Sequence, residues 1–244
     1  MRYDRMRPQQ VQAAIAANTP VVLPLGVMEH HGGHLPAGVD LLVVTEILNR
    51  LGDQIVTLPP FAYGAASHAV AGPEHGTTLH IDASALVPLF EALCTSLLRA
   101  GFRNLHAIIH HQSENIAQGM PTDLAFRLAA RNAIFRYLEA ERGPGWWGSR
   151  DMQDYYASHD AGTDPFNWIR LHPLFPKNEV FPFDHAGEGE TSLMLALAPD
   201  TVDMNRVAEG APWWTETAPR ATVEKGEAGV QLALTHLRRV LGLA

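Results

Sequence analysis

Glu29, His31, His34 and Asp40 fall within twelve residues, in the run Leu23-Pro24-Leu25-Gly26-Val27-Met28-Glu29-His30-His31-Gly32-Gly33-His34-Leu35-Pro36-Ala37-Gly38-Val39-Asp40. Carboxylates and imidazoles this dense are costly to fold for structure alone, because unpaired charge resists burial. A bound cation is the usual compensation. Glu29 and His31 are two apart, so on an extended segment they project to one side. Asp40 follows a glycine-rich turn and can fold back towards them. A purely structural alternative, a solvated loop with Asp40 capping the helix at Leu41, leaves the Glu-x-His spacing unexplained.

Two further clusters follow. His111 stands in His110-His111-Gln112-Ser113-Glu114-Asn115, just beyond an apolar strand-like run. His185 and Glu190 lie in Asp184-His185-Ala186-Gly187-Glu188-Gly189-Glu190-Thr191-Ser192, at the entrance to a helix. Mixed oxygen and nitrogen ligation suits zinc or manganese, with iron a further option. More than four candidate ligands, several of them carboxylates, point to two divalent ions bridged by one carboxylate. Such a pair polarises a carbonyl and supplies a nucleophilic water at neutral pH.

The elements that must hold these clusters alternate. Helical spacing runs from Pro8 to Asn18, Val39 to Leu51, Ala83 to Ala100, Ile116 to Glu141 (with a break near Gly119-Met120-Pro121), Glu188 to Ala198 and Thr222 to Leu241. Strand-like runs are Val21–Leu25, Gln54–Leu58 and Leu105–Ile109. Strands alternating with helices predict a three-layer α/β/α fold around a mainly parallel sheet. The first two clusters then sit where strands end, the usual ligand position in open α/β sheets. No linker divides the chain, so residues 1–244 are read as one domain. The stretch from Gly143 to Phe183, with Trp146, Trp147, Tyr155, Tyr156 and Trp168, reads as irregular and too apolar for a linker. It predicts a lid or subunit contacts. Trp213-Trp214 is read as packing.

The motifs resemble those of the creatininase (creatinine amidohydrolase) family. The first run matches its Glu-x-His-Gly-x-His-Leu-Pro signature, with Asp40 nine residues after His31. His185-Ala186-Gly187-Glu188-x-Glu190-Thr191-Ser192 matches its second signature, and Gly76-Thr77 and Gly101-Phe102-Arg103-Asn104-Leu105 resemble weaker family steps. The resemblance implies Glu29, Asp40 and His111 on one metal. It implies His31, a bridging Asp40 and a glutamate on the other. That glutamate is Glu114, which precedes Asn115, or Glu190 as in other members. His185 and Glu114 are the implied catalytic residues, with His185 contacting substrate or moving a proton to the leaving group. The implied activity is hydrolysis of a C–N bond in a small cyclic polar substrate.

The chain departs from the pattern at Ile109-His110-His111, where the family has Asn-Gly-His, and has one residue more than expected between His111 and Asn115. Phe181 stands where creatinine-cleaving members carry Trp. The metal site reads as retained and the pocket as altered, which predicts a substrate other than creatinine. Hydrolytic ring opening of a cyclic keto sugar or keto-inositol is the alternative. A non-catalytic metal-binding protein is the alternative from another class.

Bulk composition agrees with a small-molecule enzyme. Hydrophobic residues make up 46% and charged residues 18% of 244, enough for a substantial core. A net charge of −8 without a basic patch argues against a nucleic-acid partner. No membrane-spanning run or signal segment is read, so a cytoplasmic location is expected. The lone Cys94 reads as a small core residue. The resemblance implies a homo-oligomer, a hexamer being one form. His68 and His75, in the long loop from Pro59 to Thr78, are read as loop hydrogen-bonding residues.

Overall fold

The computed structural model describes residues 1–72, 76–111, 117–176, 181–209 and 212–243. Among these residues, four parallel strands form one sheet in the order β2-β1-β3-β4: β1 Val21–Leu25, β2 Val56–Thr57, β3 Leu105–Ile109 and β4 Ile169–Pro173. β1 and β3 are buried along their whole length, which is why each is an almost continuous apolar run. Their register pairs Val21 with Leu105 and Leu25 with Ile109, so both strands end level.

Helices cover both faces. On one side α3 (Ala83–Ala100) and α4 (Pro121–Arg142) pack against Leu23, Leu25, Leu105 and Ala107 of the sheet, joined by α1 (Pro8–Ala16) through Ala14. On the other, α2 (Val39–Asn49), α6 (Glu188–Leu197) and α7 (Val223–Leu241) enclose Val22 and Ile108. This is the three-layer α/β/α arrangement read from the alternation of elements. A close contact lets α6 meet α7: a Cβ on Gly226 would stand 1.9 Å from the Ser192 carbonyl oxygen.

Several expectations need correction. β4 was not anticipated. It lies inside the stretch read as irregular, which also contains the short helix α5 (Tyr155–Asp160). β2 covers two residues rather than five, and α4 starts at Pro121 because Pro favours the first helical position. Trp146, Phe166 and Trp168 pack against the core on the α3–α4 side, so the aromatic stretch braces α4 and β4. α3 was not expected to reach membrane-spanning dimensions. Its 18 residues, of mean hydropathy 1.3, meet that length and apolarity, but Leu86, Phe90, Cys94 and Leu98 are buried in the core.

Candidate metal centre

The site forms where β1 and β3 end and α6 begins. Beyond β1, the Glu29 N–H donates to the Ala37 carbonyl at 2.9 Å and closes a loop that returns the chain to α2. The loop is anchored from outside by the Leu79 N–H on the Met28 carbonyl at 2.9 Å. α2 approaches closely because Gly26 has no Cβ; one there would lie 2.7 Å from Leu41 Cα. Asp40, the second residue of α2, is thereby brought against Glu29. The helix N-cap is Gly38, so Asp40 is not the cap.

From β3, His111 places Nδ1 3.4 Å from Glu29 Oε2 and 3.4 Å from Asp40 Oδ2. His31 donates its Nδ1–H to the Glu29 carbonyl at 2.9 Å, which turns Nε2 into the site. That Nε2 is 3.5 Å from Glu190 Oε2. Two groups of potential ligand atoms result, each mutually within 4.8 Å: Glu29, Asp40 and His111, and His31, Asp40 and Glu190. Asp40 belongs to both. A third group joins Glu29, His31 and His185. Glu114 lies outside the described residues, as do Gln112, Asn115 and His75.

Chemistry favours a cation here. Glu29, His31, Asp40 and His111 are each at most 3% exposed. Yet among the described residues both Glu29 carboxylate oxygens, Asp40 Oδ2 and His31 Nε2 have no hydrogen-bond partner. Buried polar atoms are almost always paired, and these converge on shared points. Burial raises the pKa of Glu29, with Asp40 adding to the effect against His111. Burial opposes the charged form of His111, but Asp40, Glu29 and Glu190 outweigh it and push its pKa up to about 9. Burial likewise opposes the charge on Glu190, where His31 and His110 prevail and hold the carboxyl well below its ordinary range. Divalent ions would neutralise the negative charge that Glu29, Asp40 and Glu190 bring together here.

α6 supplies Glu190 through a glycine-rich turn. Asp184 accepts from the N–H groups of Gly189 at 2.7 Å and Glu190 at 3.1 Å, in place of a cap on the helix. Gly189 has no alternative, since a Cβ would stand 2.2 Å from the Pro182 carbonyl oxygen. Glu188 points away and pairs with Lys225 and Arg220, so it is not part of the centre. His185 Nε2 is 2.8 Å from the His30 carbonyl, an acceptor only, so Nε2 carries the proton and Nδ1 the lone pair. Its ring lies 4.3 Å from that of His31.

Trp214 escaped the sequence reading, and the structure adds the partners of His110 and Phe181. Trp214, taken as packing, sets its ring edge-on to His185 at 4.9 Å and to His30 at 5.9 Å. His110 Nε2 approaches Glu190 Oε1 to 3.2 Å. Phe175 and Phe181 stack 5.4 Å apart at 9° and, with Phe183, wall a cavity of about 240 Å³ that opens beside Asp40, His111 and His185. The neighbouring motif already marks Phe181 as a pocket position but not Phe183, and an isolated Trp pair carries no spacing signal. The His68 ring lies tilted against that of His80 at 5.4 Å, and it is His80 whose Nδ1–H bonds the Ala66 carbonyl. Thr77 Oγ1 lies 3.1 Å from His30 Nδ1, which ties the Gly76-Thr77 step to the site.

Comparison with known proteins agrees with this geometry. A profile of the family Creatininase, described as creatinine amidohydrolase, matches residues 4–241. A creatinine amidohydrolase from Pseudomonas putida is 30% identical over 212 residues, 84% of this chain and 74% of that protein. A 3-dehydro-scyllo-inosose hydrolase from Thermotoga maritima is 22% identical over 227 residues, covering 92% of this chain but only 62% of the relative's length. Among solved structures, a manganese form of creatininase superposes with a TM-score of 0.69 at 21% identity over 98% of each chain. A zinc–zinc form of a mutant creatininase gives 0.67 at 20% identity, again over 98% of each.

Proposed function

This chain belongs to the creatininase family, whose members are metal-dependent amidohydrolases, and we propose that it hydrolyses a C–N bond of a small cyclic substrate at a two-metal centre. Asp40 carries this reading, because one buried carboxylate belongs to both ligand groups. Glu29, Asp40 and His111 would hold one ion, and His31, Asp40 and Glu190 the other. Zinc or manganese, present in the related structures, would supply Lewis acidity and an activated water. The chain's own residues do the rest. His185, with Nδ1 free to accept, is suited to collect a proton and pass it to the leaving nitrogen. His30 fixes that tautomer through its carbonyl, and Trp214 limits the ring's swing.

The cavity wall informs the substrate. Phe175, Phe181 and Phe183 present apolar rings opposite the carboxylates. A flat ring with one apolar face and one amide edge satisfies both sides, whereas hydroxyls pressed against phenyl rings lose their water partners. Lactams and cyclic amidine-amides fit this description, and formamides share its amide edge. A ring other than creatinine is favoured by Phe181. The Thermotoga relative's name supports the second reading, C–C ring opening of a keto-inositol.

A substrate panel tests the choice. Protein refilled with zinc or manganese is expected to turn over at least one cyclic amide or formamide. Turnover confined to keto sugars or keto-inositols would transfer the assignment to ring opening. Assembly as a homo-oligomer is part of the proposal, supported by Leu124, Leu128 and Phe135 exposed at helical spacing along α4. Light scattering reads it directly. The buried free Cys94 supports a reducing, cytoplasmic setting.

A further inference from the structure

The turn between His185 and Glu190 is more constrained than ligand placement alone requires. Ala186 is fully buried and has φ of 50°, in the left-handed region that disfavours any residue with a Cβ. Both of its backbone polar groups are engaged. The Ala186 N–H donates to Glu190 Oε2 at 2.7 Å. Its carbonyl accepts from Thr191 Oγ1 at 3.4 Å, a bond to the residue five positions back that closes the turn rather than the helix.

Thr191 has one hydroxyl proton, and Ala186 receives it. The remaining contact of Oγ1, to His34 Nε2 at 3.0 Å, therefore has the imidazole as donor. His34 is 1% exposed, and its ring sits over Gly32, where a Cβ would lie 3.1 Å from Nδ1. These bonds run from the first histidine motif to the third cluster, 157 positions apart, and end between His185 and Glu190.

We propose that His34 and Thr191 are positioning residues that clamp the Ala186 carbonyl, hold its left-handed turn, and so preset Glu190 and His185 before metal and substrate arrive. Strained backbone persists where its surroundings over-determine it, and this clamp is the local device that does so. The inference rests on the two-metal reading for its effect on ligation, but not for the existence of the clamp.

The test uses Thr191→Val, which removes the hydroxyl and keeps the shape, and Thr191→Ser, which restores the hydroxyl. Zinc is titrated into metal-free protein against a chromophoric chelator. Thr191→Val is expected to weaken the second equivalent by about 10-fold or more, the usual scale for losing a supporting hydrogen bond behind a ligand. The first equivalent stays near the wild-type value, and Thr191→Ser recovers both. Equal weakening of both equivalents, or no weakening, overturns the proposal. Hydrogen exchange over residues 182–190 of the metal-free protein gives an independent reading. It is expected to rise in Thr191→Val and return in Thr191→Ser; unchanged exchange removes the clamp. Wild-type protein binding one equivalent would instead remove the two-metal reading and leave the exchange result to decide the clamp. His34→Ala replaces Thr191→Val if the latter does not fold, with the same outcomes.

Discussion

At Asp40 a single carboxylate must satisfy two groups of ligand atoms, because α2 delivers it between Glu29 and His31 while His111 and Glu190 close from either side. Asp40→Ala is therefore expected to lose both metals together rather than one. Elemental analysis after refilling decides it, and two retained ions per chain would sink the dinuclear assignment. Glu190→Gln is expected to drop the count from two to one with Asp40 intact, while Glu114→Gln leaves it at two. The reverse pattern would give the second site to Glu114. The candidate ligands that the fold brings together, Glu29, His31, Asp40, His111 and Glu190, all stand out in the sequence, since carboxylates and imidazoles at fixed spacing beside strand ends have few structural uses. Trp214 does not. Its place against His185 comes from a neighbour brought in by the fold and has no local pattern.

Among the elements, β1 and β3 were readable to the residue because burial on both faces makes them continuous apolar runs. β4 was not, because an edge strand is half-buried and alternates: Arg170 and His172 interrupt Ile169 and Leu171 before Pro173 ends it. That alternation has a thermodynamic signature. Asn104 Nδ2 donates to the Asn18 carbonyl at 3.0 Å, which turns Oδ1 towards His106 Nε2 at 2.8 Å. His106 Nε2 is then the donor, and Nδ1 accepts from His172 Nε2 at 3.0 Å. Burial, then the neighbouring His172 and Arg170, lower the pKa of His106 to about 3. Burial, then Arg170, His236 and Arg239, lower that of His172 to about 4. Both rings stay neutral in the folded protein while the unfolded chain takes up protons below about pH 6.5. Their contribution is therefore complete above that pH and is lost as pH falls towards 4. The expected loss is up to about 1.4 kcal/mol per pH unit for each ring. Denaturant unfolding of the metal-free protein between pH 7 and 4.5 measures it, and His172→Gln should flatten the slope. An unchanged slope in that variant would place the acid sensitivity elsewhere.

For the whole molecule, the candidate ligands come from three distant segments, which would make metal binding part of folding. Ions that bind the native chain and not the unfolded one add stability in proportion to the logarithm of their saturation, about 4 kcal/mol at a thousandfold excess over Kd. For a chain of this size that corresponds to a melting temperature roughly 10 °C higher. Chelation is expected to lower it by that order and refilling with zinc or manganese to restore it, as read by calorimetry. A melting temperature indifferent to chelation would mean that the three segments are fixed without the ions.

The level ends of β1 and β3 have a consequence for how the chain avoids error. Glu29 lies four residues past Leu25 and His111 two past Ile109, and those strand ends are paired with each other. A slip that keeps each side chain on its proper face must be two residues, roughly 7 Å along the strand. That exceeds the 4.8 Å that encloses each group of ligand atoms. A misaligned sheet can bury its valines and leucines nearly as well as the native one, but it cannot close around an ion. An ion held there would therefore proofread the alignment of the two central strands, rejecting a mistake that hydrophobic packing alone would tolerate.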